Sequence, residues 1–126
     1  SYLSFSSPGG ASEMNPQFPS PHISSLLTQL GLTPNYTGFF QTACALELAL
    51  QEPRALCLIT KWIYPAVAKR CNTSPSAVER NIRLSVSHIW KEAPLRLTSL
   101  SAIPLCKKPS NAAFLAILCA HLADPL

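Results

Sequence analysis

The sequence predicts an all-α fold, a compact domain of six helices containing a helix-turn-helix, and three observations carry that expectation. Every convincing periodic run of apolar residues in the 126-residue chain repeats at three- and four-residue spacing, and none alternates long enough for a strand. Prolines and glycines punctuate those runs where helices should begin and end. The stretch VAKRCNTSPSAVERNIR, from Val67 to Arg83, has the small residue, turn residue, cap and apolar spacing of two helices joined by a tight bend.

In chain order, the first 22 residues hold Pro8, Pro16, Pro19 and Pro21 with Gly9 and Gly10, and bury too little apolar surface to offset their ordering entropy. A flexible linker or tail is expected over 1–22 and the folded domain over 23–126. The chain opens on Ser1 rather than Met, as a segment of a longer protein would, and no basic start followed by an apolar run marks a signal peptide. The first helix is expected over Ile23–Leu30, stopped by Gly31. The loop LTPNYTG follows, then a second helix over Phe39–Gln51, with Phe39, Phe40, Ala43, Leu46 and Leu50 on helical spacing and Pro53 closing it. A third is expected over Ala55–Arg70, kinked or broken near Tyr64 because Pro65 falls inside it. The fourth spans about Pro75–Lys91. Leu95–Leu105, bounded by prolines, reads as a short helix or irregular loop, and the last helix starts near Pro109 or Ser110 and ends near Leu122.

The junction between the third and fourth helices carries the functional signal. Ala68 is small enough for two helices to cross closely. Asn72 sits four residues later, where a sharp turn calls for φ > 0, which Asn tolerates best after Gly. Ser74 suits the N-cap and Pro75 the first helical position, whose N–H has no partner anyway. Val78, Ile82 and Ile89 then fall within about 40° of one another on a helical wheel and face the core. The opposite face carries Ser76, Ala77, Arg80, Arg83, Leu84, Ser87 and Lys91, three of them basic and none acidic, with Glu79 to one side. A helix in the major groove needs donors on its outer face and its first turns nearest the base edges. Arg80 and Arg83 are placed for that, and Lys61, Lys69 and Arg70 on the preceding helix are placed for phosphates, which fix register.

Charge agrees with this reading. Residues 1–53 carry −3 and residues 54–126 carry +7, with all ten Lys and Arg between Arg54 and Lys108. Such asymmetry suits a surface aimed at a polyanion, with a solvated basic face as the plainer explanation. Enzyme chemistry is not expected: Ser76, Ser85 and Ser87 lack a His/Asp context, the chain has no glycine-rich phosphate loop, and carboxylates are too few for an acid/base pair. His22, His88 and His121 lack ligand-spaced partners, and the five cysteines form no CxxC, so no metal and no cofactor is expected. Reduced thiols in a cytoplasmic protein are the expectation, with most of the cysteines acting as small hydrophobes. Trp62 and Tyr64 are expected in the core. The longest apolar runs fall far short of the roughly 20 residues that span a bilayer, so no membrane partner is expected.

From about Ile23 to its end the chain resembles the C-terminal DNA-binding domain of stage zero sporulation protein A, the sporulation master response regulator. The pieces that carry the resemblance are ITKWIYPAVAKRCNTSPSAVERNIRLSVSHIW and KKPSNAAFLA, whose WIYPAVAKR block, VER-x-IR core, Trp90 and KPSN-x-x-F start match in order and spacing. The resemblance implies a six-helix effector domain that reads a short promoter box, preceded by a phosphoacceptor receiver domain and a linker. It also implies dimerisation on double-stranded DNA and a contact with RNA polymerase sigma factor through about Leu95–Leu105. Carried over by position, Glu79, Arg80 and Arg83 are the base-reading candidates, while Lys61, Lys69, Arg70, Ser76 and Lys108 are the phosphate candidates. The family usually has Arg at the position of Ala77, His at that of Leu84 and Lys at that of Cys106. Two polar groups are thereby missing from the reading face, and each good bidentate base contact is worth roughly 1–3 kcal/mol. An apolar outer face also suits the alternative, a divergent relative acting as a protein-interaction module that binds sigma factor or a regulator. The last helix, with Ala113, Ile117 and Ala120, suits packing on the core or on a second copy alike.

Overall fold

The computed structural model describes residues 18–123, so residues 1–17 of the expected tail and the last three residues lie outside what is described here. Helix α1 (Pro21–Gln29) begins two residues before the expected start, with the Ser20 hydroxyl accepting the Ile23 N–H at 3.3 Å and a proline in the first turn. It ends where Gly31 turns left-handed (φ 95°): Leu32 N–H donates to the Leu27 carbonyl and Gly31 N–H to that of Thr28, both at 2.9 Å.

Helix α2 (Gly38–Gln51) is the central strut, buried along most of its length and packed against the first, third, fourth and last helices. Its first residue touches the fourth helix directly. A Cβ at Gly38 would lie 2.1 Å from Ser85 Oγ and 2.6 Å from the Asn81 carbonyl, so only glycine fits.

The expected third helix is three pieces: a 3₁₀ turn Pro53–Leu58, a π turn Ile59–Ile63, and α3 (Tyr64–Cys71). Pro65 explains the break, since it has no N–H and its ring collides with the carbonyl four residues back. The backbone resolves this by widening ahead of the proline, so that Tyr64 N–H reaches the Ile59 carbonyl five residues back. The looser winding also corrects the expectation for Trp62. It stands 41% exposed, whereas Tyr64 is buried as expected.

After α3, Asn72 takes φ 56°, ψ 52°, and Thr73 N–H closes the helix end on the Ala68 carbonyl at 2.9 Å. Ser74 then caps α4 (Pro75–Glu92), its hydroxyl accepting Ala77 N–H at 3.1 Å. Left-handed backbone costs an ordinary L residue roughly 1–2 kcal/mol and asparagine less. Asn72→Ala should therefore lower stability in urea unfolding by about 1 kcal/mol, and Asn72→Gly should not. Equal losses would rule out this account of the turn.

Helix α5 (Pro94–Leu100) follows one residue after α4, and α6 (Asn111–Ala123) closes the bundle, with the Ser110 hydroxyl accepting Ala113 N–H at 3.2 Å. The described residues contain six α-helices and no strand. One core gathers Ile23 and Leu27 of α1, Phe39 and Leu46 of α2, Val78, Ile82 and Ile89 of α4, and Phe114 of α6. The helix-turn-helix is thus held from behind by α2 and α6.

Candidate nucleic-acid interface

Helix α4 turns Val78, Ile82, Ser85, Val86 and Ile89 inward, which leaves its outer face free. Arg80 is exposed there and has no hydrogen bond or ion pair to another described residue. Arg83, one turn nearer the C-terminus than Glu79, pairs with it: Nε lies 3.0 Å from Oε2 and Nη2 3.5 Å from Oε1. Both partners are well hydrated, so the pair is worth only about 0.3–0.5 kcal/mol and yields readily to a stronger anion.

Lys108 comes from a different part of the chain, the loop before α6. Its Nζ donates to Ser87 Oγ at 2.8 Å. Ser87 is one turn beyond Arg83 and one turn before Lys91, so the lysine fills the middle of the same face. Arg80, Arg83, Lys91 and Lys108 therefore form one cationic ridge. Ser76 is exposed in the first turn of α4, its hydroxyl 3.3 Å from that of Ser74. Leu84 is 50% exposed on the ridge and Ala77 is half-buried beside it.

Lys61 on the π turn and Lys69 in the last turn of α3 are both exposed. Arg70 is also exposed but engages a neighbour within the protein, so it is less free than its position in the sequence suggested.

The ridge is fixed in place by a joint that the sequence did not disclose. Asn111, buried at the start of α6, donates both hydrogens of its amide nitrogen, one to Tyr64 Oη at 2.9 Å and one to the Glu79 carbonyl at 3.1 Å. One side chain thereby connects α6 to both halves of the helix-turn-helix. Burial in this joint raises the Tyr64 phenol above its usual range, which keeps its oxygen protonated. Beside it a shallow cleft of about 380 Å³ opens between Ile59, Tyr64, Glu79, Arg83, Lys108 and Ser110. The only hint of this joint in the sequence was the Asn of KPSN, matched by resemblance and without an assigned task.

On the far side of α4, His88 Nε2 lies 2.9 Å from the Gly31 carbonyl and its ring centroid 4.3 Å from that of Tyr36. This is a packing role, as its sequence surroundings suggested. No helix among the described residues is long and apolar enough to cross a membrane.

A tight turn through left-handed Asn72, a capped second helix and a cationic outer face define the helix-turn-helix class of DNA-binding domains. The model of one family of that class, described as sporulation initiation factor Spo0A C terminal, matches residues 23–122. The chain belongs to this family of DNA-binding sporulation regulators.

Proposed function

We propose that α4 enters the major groove of a promoter box and reads it through Arg80 and Arg83, with Glu79 accepting from a base or holding Arg83 in register. The observation that carries this reading is the ridge itself: Arg80, Arg83 and Lys91 on one exposed face of a helix whose opposite face is locked into the core, joined there by Lys108 from the loop before α6. Lys61, Lys69, Arg70 and Lys108 neutralise phosphates on either side. Ser76 adds a hydroxyl at the helix N-terminus, where backbone N–H groups and the helix dipole favour an anion. Such contacts hold the helix in register while base contacts choose the sequence.

Binding-site selection from a random duplex pool tests the reading, with recovery of one box as the expected result. Four neutralised phosphates predict that log affinity falls with log salt at a slope of about −3.6 per protomer, since each contributes about −0.9. A slope near zero, or no enrichment of any box, would defeat the proposal and favour the protein-interaction alternative.

Sigma factor contact and dimerisation on DNA belong to the same proposal. Leu95 and Ile103, 84% and 72% exposed, support a protein contact on α5 and the loop after it, because isolated apolar side chains so fully hydrated gain most from being covered. A receiver domain preceding this chain and a cytoplasmic location are likewise part of the reading.

A further inference from the structure

The turn of α4 that carries Arg80 and Arg83 is gripped through its own polar groups from two other helices. From α6, the amide nitrogen of Asn111 donates to the Glu79 carbonyl at 3.1 Å while also holding Tyr64 Oη of α3 at 2.9 Å. From α2, Gln41 Oε1 accepts from Asn81 Nδ2 at 3.1 Å. Gln41 and Asn111 are each only 9% exposed, so both bonds are shielded from water and held more firmly than exposed ones. The Glu79 carbonyl already serves the Arg83 amide in the i to i+4 pattern of the helix, and Asn111 takes its second lone pair. An asparagine suits this place because one short side chain offers two hydrogens on a single nitrogen. Aspartate offers none and serine one. Val78 and Ile82 fix how deep the turn sits, but apolar packing is non-directional and resists rolling of a helix less than an oriented hydrogen bond does. Both gripping amides are buried, whereas Arg80 and Arg83 are exposed on the outer face.

We infer that Gln41 and Asn111 are positioning residues for base choice: they touch no DNA, and they set the roll and register at which α4 presents Arg80 and Arg83. The inference rests on the DNA-binding reading above. Base contacts demand placement within about 0.5 Å and 10–20°. A lysine on a phosphate tolerates more, because its ammonium is a point charge on a flexible stem. Releasing either grip therefore lowers preference for the box and leaves the phosphate contacts in place.

The test uses the full chain with Gln41→Met and with Asn111→Leu, which remove the polar groups at nearly constant volume. Tyr64→Phe, which removes only a hydroxyl, takes the place of Asn111→Leu should that variant not fold. Ile23→Val is the control: it trims the core at α1 and takes part in neither bond. Affinities for the selected box and for random duplex are measured where circular dichroism shows each variant folded. Box preference, the ratio of the two, should fall roughly two- to thirtyfold in Gln41→Met and in Asn111→Leu. Affinity for random duplex and its salt slope should stay at the parent values. A loss of stability alone weakens both duplexes by one factor and leaves the ratio unchanged, as Ile23→Val should show. Amide hydrogen exchange across 79–83 should also quicken in both variants beyond the control. Parent-level preference in the folded variants, or an equal fall in Ile23→Val, overturns the positioning role. Exchange no faster than in the control overturns the grip itself. A parent chain that selects no box overturns the DNA reading, and base choice with it, while the exchange result still decides the grip.

Discussion

Arg80→Ala should lower affinity for the selected box roughly ten- to a hundredfold, about 1–3 kcal/mol, and relax preference at a single base pair. The case rests on its place at the centre of the outward arc of α4, with no intramolecular partner among the described residues to give up. Arg83 must first part from Glu79, at a cost of about 0.5 kcal/mol, so its substitution should show a slightly smaller loss. Lys69→Ala is the contrasting case. It should weaken every duplex alike and reduce the salt slope by about 1, as loss of a phosphate contact does. Affinity measured over a panel of single-base variants of the box separates these outcomes. If Arg80→Ala weakened all of them equally, the arginine would be touching backbone and not bases.

The second large effect concerns stability. Gly38→Ala should destabilise the domain by about 1–3 kcal/mol, which for a domain of this size lowers the Tm by roughly 5–15 °C. Alanine favours helix by up to about 1 kcal/mol over glycine in a helix interior, but Gly38 opens α2 and gains little of that. The new methyl would instead meet Ser85 Oγ at 2.1 Å and the Asn81 carbonyl at 2.6 Å. Ser85 could turn aside only by leaving its 2.9 Å hydrogen bond to that same carbonyl. The carbonyl belongs to the α4 backbone and cannot move alone. Adding Ser85→Ala should therefore recover part of the loss and no more. A Gly38→Ala variant as stable as the parent in thermal unfolding would mean that α2 and α4 are not held this closely.

What could be read from the sequence was local. Gly31, Asn72 and Ser74 announced their positions because each residue type suits a backbone conformation that few others tolerate, and the structure puts Gly31 and Asn72 at positive φ and Ser74 at the N-cap. Of the inward residues of α4, Val78, Ile82 and Ile89 followed from spacing alone, and the structure adds Ser85 and Val86. The stretch between Pro53 and Tyr64 could not be read in the same way: its composition suits a helix, and only the collision at Pro65 decides that the winding widens to a π turn. Trp62 was misjudged for that reason, since its direction depends on the winding. The links that complete the candidate interface were illegible for a different reason. Lys108 reaches Ser87 across 21 positions and Asn111 reaches Tyr64 across 47, and no periodicity encodes contacts of that range.

Because Asn111 clasps Tyr64 and the Glu79 carbonyl together, the helix-turn-helix is not separable from α6. A peptide excised as 64–92 would keep every arginine of the ridge and still lose the strut that sets its angle. Grafting this reader onto another scaffold would mean carrying α6 along as its keel.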